Sequence, residues 1–343
     1  MAHHANVPVF IPHMGCPNNC VFCDQRAISG QVKFDEGDVE RIIIDSLGTL
    51  EASGRSAVIA FFGGSFTGID RPLMIRLLDI AQSYVGRGVL GIRMSTRPDY
   101  IDPEIIKILD SYTVSQVELG IQSMSDRVLA VSKRGHTADD TRRAVELLRE
   151  NGFSVVGQMM VGLPASAAED ELFTAREICR MGCDGARIYP TVVFRNTELQ
   201  LMCDSGAYTP LSIEEAAVRC ADVLEIFEEN GVECLRIGLC DSENLHSEEK
   251  YYKGPAHPAM GELVRGELWR RRISHRLAEG RRHGEVVIEV PRGCASAAAG
   301  QNKRNRREYE KLCGGKVTIR ESRDLYGRQF KVYDRQEADE VCI

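Results

Sequence analysis

Cys16, Cys20 and Cys23 lie within one short stretch, GCPNNCVFCDQ, and their spacing is the first feature of the sequence that can do chemistry. Three thiolates in a single loop can wrap one corner of an iron–sulfur cube and leave the fourth iron without a protein ligand. An iron left open in this way can be chelated by a small cofactor. Zinc is the competing occupant: a structural zinc site takes four ligands, and His13 supplies a fourth by count. The chain carries 12 cysteines in 343 residues, and at that length it needs no disulfide framework. Close cysteines then read as a metal site in a reducing compartment. The other cysteines read as small buried hydrophobes. Cys179 and Cys183 are one helical turn apart and invite a second cluster, but no third or fourth ligand is evident beside them.

The elements that must hold the cysteine loop recur along the first 240 residues. Strands are expected at 7–12, 57–62, 88–95, 114–121, 153–161 and 186–194, where apolar and β-branched residues run together. Helices are expected near 38–53, 71–86, 102–111, 137–152, 167–182 and 212–230, with start signals at Asp35 or Asp38, Asp102-Pro103 and Thr137. Strands alternating with helices build a parallel sheet, hence an α/β fold. Six such units are too few for a closed eight-fold barrel and predict an open, partial (β/α)6 barrel. Its chemistry belongs just beyond the C-terminal ends of the strands, where the cysteine loop lies.

With the aromatic Phe22 before the last cysteine, C-x3-C-x2-C after a first strand resembles the signature of the radical S-adenosylmethionine (SAM) superfamily. The resemblance implies an enzyme that holds a 4Fe–4S cluster on Cys16, Cys20 and Cys23 and cleaves SAM reductively to a 5′-deoxyadenosyl radical. FFGGSFTG (61–68) falls where the superfamily places a glycine pair against the methionine amino group of SAM. That assigns Gly63 and Gly64, with Ser65 at a position that is usually acidic. MSTRPDYID, VELGIQS, KRGHT, GQMMVGLP and RIYPTVV look like the radical-SAM half of the Elongator catalytic subunit, and more distantly like oxygen-independent coproporphyrinogen oxidase. By that likeness SAM-contacting positions fall on Phe10, Ser95, Gln122, Arg134 and Gln158. Ser95 and Gln158 stand where the oxidase carries Glu and Asp, while the Arg134 guanidinium suits the SAM carboxylate. Tyr189 and Arg195, after the sixth strand, are candidates to face substrate. About a hundred residues follow residue 240, too few for the Elongator acetyltransferase domain, so the likeness supplies cofactor chemistry and not a substrate.

Composition adds partners and place. The chain is 43% apolar and 27% charged, with a net charge of −7, which excludes wholesale disorder. Residues 265–320 hold 15 Lys and Arg against 6 Asp and Glu, whereas residues 1–240 hold 22 against 33. A polar stretch at 241–258 reads as a linker between a barrel (1–240) and a basic C-terminal α+β domain (259–343). There, strand 285–291, helix 294–300, loop GQNK, helix 304–312 and strand 316–321 resemble the KH RNA-binding core, with Lys303 in place of its second loop glycine. In that fold the loop clamps single-stranded backbone, which nominates Lys303, Arg304, Arg306 and Arg307 for RNA. A cap with merely solvated charges is the alternative. No apolar run reaches a membrane-spanning length and no signal-peptide pattern opens the chain, so a cytoplasmic location is expected. The expected partners are RNA or tRNA and an electron donor such as flavodoxin or ferredoxin. A porphyrin-type small-molecule radical enzyme, a haem-trafficking relative (whose H-N-x-x-Y-W signature is absent) and a zinc-stabilised, non-catalytic RNA-binding protein remain open readings.

Overall fold

The computed structural model describes residues 5–17, 20–24, 34–51, 55–239, 247–280 and 284–334. In chain order the first elements are β1 (Ala5–Phe10), α1 (Val39–Glu51), β2 (Ala57–Phe62), α2 (Arg71–Ser83), β3 (Val89–Thr96), α3 (Pro103–Asp110) and β4 (Val114–Gln122). They are followed by α4 (Asp126–Val131), α5 (Ala138–Glu150), β5 (Ser154–Val161), α6 (Ala168–Arg180) and β6 (Gly185–Pro190). Then come β7 (Val193–Phe194), α7 (Glu198–Asp204), α8 (Ile213–Glu229), β8 (Glu233–Ile237) and β9 (Tyr251–Lys253).

Local signals set these boundaries. Asp102 accepts from the Ile105 amide ahead of Pro103, and Thr137 and Asp140 close a capping box at the start of α5. Asp35 caps a short 3₁₀ turn that precedes α1, so that helix starts at Val39.

β1 to β6 and β8 form one parallel sheet of seven strands, in the order β1-β2-β3-β4-β5-β6-β8, curled into a half-barrel. The six expected strands are present, the sixth ending at Pro190 with Val193–Phe194 paired in a separate small sheet, and a seventh, β8, joins the large sheet. ECLRI at β8 alternates exposed and half-buried positions at a sheet edge, so it lacks the apolar run that marks the others. One face of the sheet is closed: Val7, Val9, Ile59, Phe61, Met94, Val117, Leu119 and Ile188 are buried. The opposite face is partly open, with Phe10, Phe62, Ser95, Gln122, Gln158, Arg187 and Tyr189 half-buried along the lumen.

The chain divides into two units, residues 1–216 with 226–258, and residues 217–225 with 259–343. The expected linker at 241–258 differs from what is found. Residues 241–246 lie outside the described residues, and Tyr251–Lys253 pairs antiparallel with Val193–Phe194 inside the first unit. A three-residue strand flanked by polar residues carries too little apolar pattern to be read from sequence.

In the second unit a 20-residue helix, α9 (Met260–Glu279), precedes β10 (Val286–Pro291), α10 (Ala295–Ala299), α11 (Arg304–Cys313), β11 (Val317–Ser322) and β12 (Lys331–Asp334). The expected strand–helix–loop–helix–strand order is present, and β10 pairs parallel with β11 and antiparallel with β12. Trp269, Ile273, Ile288, Val290, Tyr309 and Val317 build its core.

The loop between α10 and α11 is strained. Asn302 and Lys303 both take left-handed backbone angles, with φ of 52° and 60°. Lys303 thus adopts the conformation a glycine would hold at no cost. Lys303→Gly should therefore raise stability by about 1 kcal/mol in urea unfolding; an unchanged midpoint would mean the turn is not left-handed in solution.

Candidate functional site

The cysteine loop leaves β1 and is folded onto the turn that leaves β2. The Ser65 amide donates to Met14 O at 2.8 Å, the Met14 amide to Ile11 O at 3.2 Å and the Cys23 amide to Cys20 O at 3.0 Å. Glycines make this docking possible. A Cβ on Gly64 would sit 2.0 Å from Met14 O, and one on Gly15 would sit 2.2 Å from Ser65 O. Gly63, at φ +88°, turns the chain between them. The glycine pair thus serves first to seat the cysteine loop, and in doing so it bares backbone at the sheet's C-terminal edge.

The three thiols are close enough to influence one another. Burial, then the neighbouring Cys20, raises the Cys16 thiol, with Arg134 and Arg97 opposing. Burial, then Cys20 and Cys16, pushes Cys23 up to about 12. Both arginines supply positive charge where thiolates are needed. The zinc reading, with His13 as fourth ligand, draws on the same three thiols, and metal analysis separates it from the cluster. Cys183 is buried and Cys179 half-buried, as packed small side chains are.

Arg134 is buried in the site, but its Nη atoms already have partners. Nη1 lies 3.3 Å from Cys20 Sγ and Nη2 donates to Gly120 O at 2.8 Å. It thereby ties Cys20 to β4. Gln122, at φ 64°, ends β4 beside it, and its Oε1 is buried with no hydrogen-bond partner among the described residues. An orphaned acceptor at the mouth, a glycine cradle and three thiols flanked by guanidinium groups fit a 4Fe–4S cluster with chelated SAM. Phe10 closes β1 with its ring 6.2 Å from Phe62. Phe22 packs against the cluster of Val21, Val193 and Leu199, which fixes the far side of the loop.

Other expected contacts fall differently. Ser65 is fully buried, with its hydroxyl 2.8 Å from Thr96 Oγ1 and accepting from the Arg97 amide at 3.2 Å, so it braces β3 rather than facing the lumen. Gln158 donates to Glu118 Oε2 at 2.7 Å and lies 3.4 Å from Ser95 Oγ, so these two do stand together in the lumen. Tyr189 is half-buried on the same face. Arg195 Nε donates to Glu248 O at 2.7 Å, and its guanidinium lies 5.3 Å from the Tyr252 ring.

Two residues of the site are not legible in the sequence. Arg97 is buried, binds Asp99 through Nε and Nη2, and keeps a buried Nη1 with no hydrogen-bond acceptor among the described residues. His136 is buried, and burial followed by the Arg134 charge lowers it to about 4, so it is neutral near pH 7. Both lie in stretches singled out in the sequence, TRPDY and KRGHT, yet which side chain of each turns inward depends on turns just past the strands.

In the second unit, much of the basic excess is already spent. Arg270 and Arg271 pair with Glu267, Arg272 with Glu225, Arg306 with Glu310 and Arg320 with Glu289. Lys303, Arg304 and Arg307 are exposed and make no ion pair among the described residues. Gly300 has a packing reason: a Cβ there would lie 2.6 Å from Asn305 Cγ, and Asn305 Nδ2 donates to Gly266 O at 2.8 Å.

Comparison with known proteins agrees with this geometry. The family described as the Radical SAM superfamily matches residues 10–176, and the Radical_SAM C-terminal domain matches residues 183–270. An uncharacterized protein of Methanocaldococcus jannaschii is 27% identical over 230 residues, covering 64% of this chain and 70% of its own length. The tRNA uridine(34) acetyltransferase of Methanocaldococcus infernus is 36% identical over 133 residues, 37% of this chain, and the match spans only 24% of that protein. The solved structure of the archaeal Elp3 of M. infernus superposes with a TM-score of 0.62 at 21% identity, over 79% of this chain and 64% of that one, which shows a shared fold.

Proposed function

The chain belongs to the radical SAM superfamily and is a radical SAM enzyme, and from that premise we propose that it modifies RNA, with tRNA the foremost substrate. The observation that carries this reading is the exposed Lys303 on the left-handed loop between α10 and α11, with Arg304 and Arg307 exposed in the first two turns of α11. Three unspent cations gathered at a tight turn suit a phosphodiester chain. The tRNA-directed relative, similar over 37% of this chain, supports the same substrate class.

When bound, the cluster and SAM supply a reductively generated 5′-deoxyadenosyl radical, with the electron drawn from a flavodoxin- or ferredoxin-type donor. Cys16, Cys20 and Cys23 would hold the cluster and Arg134 would brace Cys20. The backbone bared at Gly63 and Gly64 and the Gln122 carbonyl would receive SAM. Ser95, Gln158 and Tyr189 line the lumen in which the substrate group would be held away from water.

The test is a gel shift of single-stranded RNA at two salt concentrations. Wild type should bind with a steep salt dependence, and Lys303→Glu with Arg304→Glu should weaken binding at least tenfold. Loss of two phosphate contacts should also lower the slope of log affinity against log salt by about 1.4, while iron content stays at the wild-type level. Salt-insensitive or equal binding by the two proteins would leave the loop a structural turn and remove the case for RNA. A small-molecule substrate would then be the better reading.

A further inference from the structure

Beside Ser95 and Gln158 the lumen of the half-barrel holds a buried charged group. Arg93 on β3 and Arg187 on β6 both pair with Glu118 on β4, which is 1% exposed. Glu118 is fully engaged: Arg187 Nη2 donates to Oε1 at 2.9 Å, Gln158 Nε2 to Oε2 at 2.7 Å, and Arg93 Nη2 also to Oε1. Arg187 stands in register with Arg236 on β8, on strands about 4.8 Å apart. Among the described residues Arg236 donates to the backbone carbonyls of Gly238 and Leu239. Glu118 is the one carboxylate that pairs with any of the three guanidinium groups among the described residues.

Two cations thus share one anion, and a third, Arg236, stands on the adjoining strand without a carboxylate partner among the described residues. Uncompensated charge in such a place is costly, and proteins keep it where a ligand completes it. The donors are incomplete as well. Arg93 Nε is buried without an acceptor, and Arg187 Nε, although 2.8 Å from Glu118 Oε2, is not aligned for a hydrogen bond. Arg93 also lies over the Phe62 ring at 5.7 Å, and its Nη1 reaches Asn6 Oδ1 at 3.3 Å, so the group is fixed in place before any ligand arrives. Burial, then the Arg187 charge, brings Arg93 down to about 10, in keeping with cations that lack a full set of counter-charges.

We infer that Arg187 and Arg236, braced by Arg93 and Glu118, form an anion site in the lumen that recognises a phosphate or carboxylate carried by the molecule on which the radical acts. The inference rests on the radical SAM reading for what the lumen is for. It explains why the strands spend buried arginines where apolar side chains would pack more cheaply. Planar guanidinium groups select oxyanions by paired hydrogen bonds, so neutral analogues of the substrate would be excluded.

The experiment is isothermal titration of cluster-loaded, SAM-bound full chain with inorganic phosphate and with succinate, at constant ionic strength in chloride. Wild type should bind one of the two at a single site. Arg187→Gln should weaken that binding about tenfold or more, the loss of a charge-assisted pair, and Arg236→Gln should do the same if the first variant folds poorly. Lys303→Glu with Arg304→Glu should leave it in place. A preference for phosphate assigns the anion to a nucleotide, and one for succinate to a carboxylic acid. No saturable binding to wild type, equal binding in the lumen variants, or loss only in the Lys303 and Arg304 variant would each overturn the proposal. Because the titration uses no RNA, its failure is distinct from failure of the gel shift.

Discussion

Anaerobic reconstitution of the full chain should give about four irons and four sulfides per protein, and replacing any one of Cys16, Cys20 or Cys23 with Ala should abolish this. The expectation follows from the loop that places the three thiols together, folded through Met14 onto the β2 turn and flanked by Arg97 and Arg134. Cys179→Ala is the control, and it should keep the full iron content, because Cys179 in the last turn of α6 and Cys183 just beyond it are placed as packed small side chains. Iron analysis with the visible absorption of the cluster checks both halves. Stoichiometric zinc without iron would restore the reading in which the loop is a structural zinc site.

The second large effect belongs to Gly64. Its Cβ would enter backbone 2.0 Å from Met14 O and 2.8 Å from Ile11 O, where no side chain can rotate away. Gly64→Ala should cost about 3 kcal/mol, the upper end for overpacking, and should lower SAM affinity at least tenfold by lifting the cysteine loop from the glycine turn. Gly88→Ala provides the comparison. Gly88 also has positive φ, at +83°, but nothing lies within 4 Å of its would-be Cβ. It should lose only about 1 kcal/mol of backbone preference and bind SAM as wild type does. Urea unfolding with SAM titration separates the two. Equal behaviour of the variants would show that the loops are not docked as described.

Much of the fold and of the cluster site is legible in the amino-acid sequence, for reasons that differ by residue. Strand β2 and helix α3 carry unbroken apolar runs or clear caps, so AVIAFF and Asp102-Pro103 are enough to place them. The cysteine spacing and the glycine pair are legible because both follow strands, and parallel sheets collect such residues at one edge. What escapes is set by packing. β8 is an edge strand without an apolar run, and β9 is too short to show a pattern. Ser65 is expected at the cofactor from its place beside the glycine pair, yet Thr96 captures its hydroxyl from the neighbouring strand. Arg97 gives no signal beside Ser95, because the chain turns just after β3, at Pro98, and brings the guanidinium inward. The lumen arginines come from separate strands, and nothing in one sequence reveals that Arg93, Glu118 and Arg187 meet.

The central claim is that this barrel binds a cluster through three cysteines and uses it to cleave SAM. Its most direct test is to incubate the reconstituted, full-length protein with dithionite and SAM and to follow 5′-deoxyadenosine and methionine by chromatography, beside Cys20→Ala treated identically. Wild type should release both products slowly and in equimolar amounts without any substrate, and Cys20→Ala should release none. Absence of 5′-deoxyadenosine from wild type that carries a full complement of iron, or its release by Cys20→Ala, would contradict the claim.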